Sequence, residues 1–114
     1  MMNENGGFDT LLRLDIPEKI KHKIESVATI LLSKFPHNIN KIILFGSYAT
    51  GKYQPDSDID IAVVLHELPD IKQRRIYKQA IDSDIGVDLL FCTGVQLASG
   101  AYVYKWVNEQ GILL

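Results

Sequence analysis

Apolar residues in the first third of the chain recur at helical spacing. In EKIKHKIESVATILLSKF, after Pro17, the residues Ile20, Ile24, Val27 and Leu31 fall on one side of a helix and charged residues fill the other. Asp15 suits the N-cap, Pro17 the first turn, and Pro36 ends the helix. The period then shortens. KIILF (41–45) is apolar and rich in β-formers, so it predicts a strand that Gly46 breaks. A short helical piece over 47–50 follows, with Gly51 as its stop. SDIDIAVVL (57–65) predicts a second strand and GVDLLFC (86–92) a third. Between them PDIKQRRIYKQAID, from Pro69, reads as a helix with Ile71, Ile76 and Ala80 on its apolar face. A last helix over 101–110 gathers Tyr102, Val103, Trp106 and Val107 on one side, with Trp106 in the core and Gly111 as cap. This order predicts one layered α/β domain over 15–114, with helices packed on a small sheet. Residues 1–14, opening MMNENGGFDT, read as a partly flexible arm.

The length of 114 residues suits a single core. A formal net charge of −2 argues against an extended nucleic-acid footprint, which calls for a basic surface. One cysteine, Cys92, sits in an apolar run; no disulfide can form within the chain, and the residue reads as a small buried hydrophobe. His22, His37 and His66 lack paired metal-ligand spacing. No apolar run approaches the ~20 residues of a membrane span, and the N-terminus lacks a basic-then-apolar signal pattern. A cytoplasmic protein without membrane attachment is expected.

The second strand poses a chemical question. Side chains alternate along a strand, so Asp58 and Asp60 share one face while Ile59 and Ile61 share the other. Their Cα atoms stand roughly 6.5–7 Å apart at ordinary strand rise. Paired carboxylates in partly apolar surroundings repel unless a positive charge joins them, and a divalent cation such as magnesium is the simplest candidate. Asp88 interrupts the third strand on the face opposite Val87, Leu89 and Phe91. If the two strands are neighbours, Asp88 joins Asp58 and Asp60, and three carboxylates could hold two cations about 3.5–4 Å apart for in-line phosphoryl transfer. Upstream, Gly46 lets a ligand approach the backbone, and Ser47 opens a turn whose N–H groups suit phosphate. DSDIDIAVVLHE also carries acidic residues at calcium-loop positions, but Ile61 stands where that loop needs glycine.

GSYATGKYQPDSDIDIAVV resembles the signature of the DNA polymerase β-like nucleotidyltransferase superfamily, a Gly-Ser pair followed after a variable loop by Asp-x-Asp on a strand. The short chain, VDLLF and the ending KWVNEQGILL resemble its minimal nucleotidyltransferase branch, so that the likeness spans residues 41–114. The resemblance implies an α+β fold with a mixed sheet, and transfer of a nucleoside monophosphate from ATP or another triphosphate with Mg2+. It assigns Gly46 and Ser47 to the phosphates, Asp58 and Asp60 to the metals, and Asp88 to completing the metal site and activating the acceptor hydroxyl. Relatives carry arginine where Tyr48 and Thr50 stand here. Lys52 lies close enough in sequence to compensate, with Lys72, Arg74 and Arg75 as further candidates.

Larger relatives hold the acceptor in a second domain, for which this chain has no room. Minimal nucleotidyltransferases often accompany HEPN-domain proteins as antitoxins, which implies AMP transfer to a tyrosine hydroxyl of such a partner. Two alternatives stand beside it: a binding module that neutralises its partner by docking, and a transferase for a small molecule of the aminoglycoside kind.

Overall fold

A computed structural model describes residues 8–81 and 86–114. Its elements are α1 (Asp9–Leu12), α2 (Glu18–Lys34), β1 (Ile39–Phe45), α3 (Ser47–Thr50), β2 (Ile59–Leu65), α4 (Ile71–Ile81), β3 (Val87–Thr93), α5 (Gly94–Ala98), α6 (Val103–Gln110) and β4 (Ile112–Leu113). The strands form one mixed sheet in the order β3-β2-β1-β4. β1 runs antiparallel to β2 and β4, and β2 runs parallel to β3 through the α4 crossover. This is the fold class the sequence predicts.

Both faces of the sheet are covered, which explains why β2 is nearly continuous in apolar residues. On one face Ile42, Leu44, Ile61, Val63, Leu89 and Phe91 meet the stripe Ile20, Ile24, Val27 and Leu31 of α2 in a single cluster. On the other, Ile43, Ala62, Val64 and Cys92 pack with Leu97 and Val107 of α5 and α6. Cys92 is fully buried, and burial pushes its thiol pKa up, so the small-hydrophobe reading holds.

Several expectations need correction. Pro17, not Asp15, caps α2; it supplies no side-chain bond, and its carbonyl accepts from Ile20 and Lys21. The inward side of α4 runs through Arg74, Tyr77 and Ile81, at spacings of three and four, so Ile71 and Ile76 point outward and are 60% and 59% exposed. Tyr77 meets Phe35 edge-on at 4.7 Å, which fixes this rotation. Ala80's side chain and Asp82 lie outside the described residues. In α6 the inward stripe is Val103, Tyr104 and Val107; Trp106 is 52% exposed rather than in the core, and Tyr102 precedes the helix on the surface. Within the predicted arm, Phe8 and Leu11 are buried in the main core, while residues 1–7 lie outside the described set.

Candidate functional site

The site grows from the strand ends. β1 ends at Phe45, whose Cα partner across the antiparallel pair is Asp60. Asp60 is in turn the parallel partner of Asp88 on β3. Directly paired residues share a sheet face, so Phe45, Asp60 and Asp88 form a row across three strands, at the end of the face that α5 and α6 leave uncovered. Asp58 stands two residues before Asp60, just ahead of β2. Ile59 and Ile61 point into the core with no solvent exposure, which turns Asp60 between them to the opposite face.

Each of two glycines backs one carboxylate. Gly46 adopts φ 76° and ψ −153°, a conformation open to glycine alone, and a Cβ there would collide with the Asp60 carboxylate. A Cβ on Gly86 would collide with the Asp58 carboxylate, and the Gly86 carbonyl accepts from Ile59 N–H at 2.9 Å. The Gly46 carbonyl accepts from Ala49 and Thr50, each at 3.1 Å, so it folds the chain tightly into α3. Gly51, at φ 81°, closes that turn, and Lys52 N–H donates to the Ser47 carbonyl.

Asp60 is half-buried, whereas Asp58 and Asp88 are exposed. Burial first, then the charges of Asp88 and Asp58, push the Asp60 pKa up from 3.8 to about 6. Among the described residues no hydrogen bond or ion pair involves any of the three carboxylates. Nor do they close into a three-ligand cluster as they stand. Their chemistry still fits a divalent cation: hard anionic oxygens on one face, mutually repelling and without a cationic side chain to pair with.

The other predicted residues separate. Ser47 begins α3 beside Gly46, where first-turn amides have no intrahelical acceptor. Lys52 is exposed, and its side chain has no partner among the described residues. Tyr48 is buried and stacks on Tyr53 at 4.7 Å, so it serves packing; burial raises its pKa. Lys72 is exposed on α4, and Arg74 and Arg75 line a groove beside β3 that contains none of the three aspartates. Two neighbours escaped sequence reasoning. Gly86 is one, though a glycine opening a strand that carries an aspartate could have signalled close backbone approach. Lys19 of α2 is the other; it lines a cavity of about 150 Å3 with Tyr48, Asp56, Ser57 and Gly86. It lies far from the motif in sequence, and no pattern marked it.

The profile of the family described as "Nucleotidyltransferase domain" matches residues 24–107. The chain belongs to that family. It is a nucleotidyltransferase, as the Gly-Ser and Asp-x-Asp residues implied, and of the minimal branch, as VDLLF and the ending KWVNEQGILL implied. It is 54% identical over 87 residues, 76% of its length and 71% of the relative's, to a candidate protein adenylyltransferase of Methanocaldococcus jannaschii. Among solved structures it matches a chain of a toxin–antitoxin complex with AMP-PNP at 33% identity and a TM-score of 0.60, covering 77% of this chain and 69% of that one. It also matches a complex of a tri-AMPylated Shewanella oneidensis HEPN toxin with its MNT antitoxin, at 29% identity and TM-score 0.53, covering 80% and 70%. Among the described residues no helix is long and apolar enough to cross a membrane.

Proposed function

We propose that this nucleotidyltransferase moves AMP from ATP to a hydroxyl, a tyrosine in the simplest case, on a HEPN-domain partner and thereby silences it as an antitoxin. The acceptor oxygen bonds to the α-phosphorus, pyrophosphate leaves, and the acceptor proton passes to a carboxylate or to solvent. The observation that carries this reading is the pairing of Asp60 with Asp88 on adjacent strands, with Gly46 packed against the Asp60 carboxylate and Asp58 just ahead of β2. The AMPylated toxin held by the Shewanella relative supplies the choice of acceptor.

Asp58, Asp60 and Asp88 would hold Mg2+, which when bound neutralises phosphate charge and relieves the repulsion that raises Asp60. Gly46 gives the triphosphate access to the backbone, and the free amides at Ser47 and Tyr48 orient it. Asp88, exposed beside Asp60, is positioned to receive the acceptor proton. Lys52 is the cation nearest the turn in the chain, and Lys19 shares a cavity with Tyr48 and Gly86.

Incubation with the neighbouring HEPN protein, α-labelled ATP and Mg2+ tests the proposal. Label should pass to the partner, and Asp58→Ala or Asp60→Ala should abolish transfer. Undiminished labelling by both variants would refute it. The burial of Tyr48 where relatives place arginine favours a second reading, neutralisation by docking alone. Inhibition that survives loss of all three aspartates would select that reading.

A further inference from the structure

We propose that the outer edge of β3, together with the basic side of α4, binds an acidic, extended segment of a partner protein as an added strand. β3 ends the sheet, and its seven residues contain no proline or lysine to blunt pairing. Ile59 N–H donates to Gly86 O, so by alternation Leu89 and Phe91 direct their backbone N–H and C=O away from β2. A groove of about 220 Å3 lies between these residues and Ile71, Arg74, Arg75 and Lys78 of α4.

The groove is charged and unsatisfied. The Nε of Arg74 is buried without an acceptor. None of the three cations forms an ion pair among the described residues. A positive cleft on a chain of net charge −2 is complementary to carboxylates. An added strand would meet the free edge of β3 through its backbone and set alternate side chains toward α4. Carboxylates at those positions reach Arg74, Arg75 and Lys78, and the intervening residues turn to the opposite face of the sheet. A single-stranded nucleic acid fits less well: Phe91, the aromatic of the groove, is buried and offers no stacking platform.

The probe is a fluorescein-labelled peptide of alternating glutamate and valine, read by anisotropy against the full chain without nucleotide or metal. This measurement can fail while AMP transfer stands, and the reverse. The parent should bind it, and a peptide with lysine for glutamate should not. Arg75→Gln with Lys78→Gln should weaken binding about tenfold or more, with Arg74→Gln adding to the loss. Amide resonances of Leu89 and Phe91 should shift on titration, and N-methylation of the peptide backbone should remove binding. No saturable binding, equal binding of the lysine peptide, equal binding by a folded Arg75→Gln/Lys78→Gln variant, or preference for oligouridine would each overturn the proposal.

Discussion

Replacing Asp60 by Asn should make the protein more stable near neutral pH and inactive at once. The Asp60 carboxyl binds its proton more tightly in the folded protein than at the ordinary value of 3.8, with a pKa of about 6. Folding therefore takes up a proton between these values, and stability falls as pH rises through that window. Above it, the parent carries an ionised carboxylate that the fold disfavours. The full shift corresponds to about 3 kcal/mol. Asp60 is half-buried rather than enclosed, so solvent screening leaves about 1–2 kcal/mol. In a domain of this size that is about 4–8 °C in Tm. Urea denaturation followed by far-UV circular dichroism, with a chelator present and pH varied between acid and neutral, measures it. The variant should exceed the parent near neutral pH and converge with it below the ordinary carboxyl pKa. Equal stability at neutral pH, or a gain that ignores pH, would show that Asp60 is not held against its charge. Added Mg2+ should narrow the gap by stabilising the parent alone, by RT ln(1 + [L]/Kd).

Five further substitutions probe the turn beside the site and the core behind it. Gly46→Ala should cost about 1–3 kcal/mol of stability and remove transfer activity, because it strains the backbone and displaces the Asp60 carboxylate; denaturation and labelling assays check both. Tyr48→Phe should change stability by less than about 0.5 kcal/mol, since the stack on Tyr53 survives, whereas Tyr48→Ala should cost about 3–5 kcal/mol. Leu44→Ala, in the core, should cost about 2–5 kcal/mol, far more than Trp106→Ser on the half-exposed side of α6, and denaturation midpoints rank them.

β1, β2, β3 and α2 were legible because their apolar runs are long and tertiary packing obeys them, whereas the two-residue β4, which pairs with β1 after α6, went unread. α4 and α6 were legible as helices but not in rotation. Each is basic or mixed in composition, and which stripe turns inward was decided by a partner remote in sequence: Phe35 against Tyr77 for α4, and the sheet residues around Val107 for α6. The stem of Arg74 occupies an inward position that a polar residue rarely signals. α5 went unread, although Thr93 and Gln96 form a capping box whose spacing is visible in the sequence. Asp58, Asp60 and Asp88 were found because a carboxylate in an apolar strand is anomalous wherever it occurs. Gly86 and Lys19 were not, because Gly86 meets Asp58 only through the crossover and Lys19 meets the Gly86 cavity only through the lie of α2.

That crossover also sets the order in which the molecule can be completed. β1 and β2 are joined by a short excursion and can pair early, which brings Gly46 to Asp60. β2 and β3 pair in parallel only after α4 has closed a longer loop, so Asp88 arrives later. The anionic row therefore forms only when folding is nearly over, and its repulsion falls on the native side of the barrier. A cation bound there should slow unfolding while leaving the folding rate almost untouched. Occupancy of the site would then set how long each folded molecule persists, a kinetic property separate from turnover.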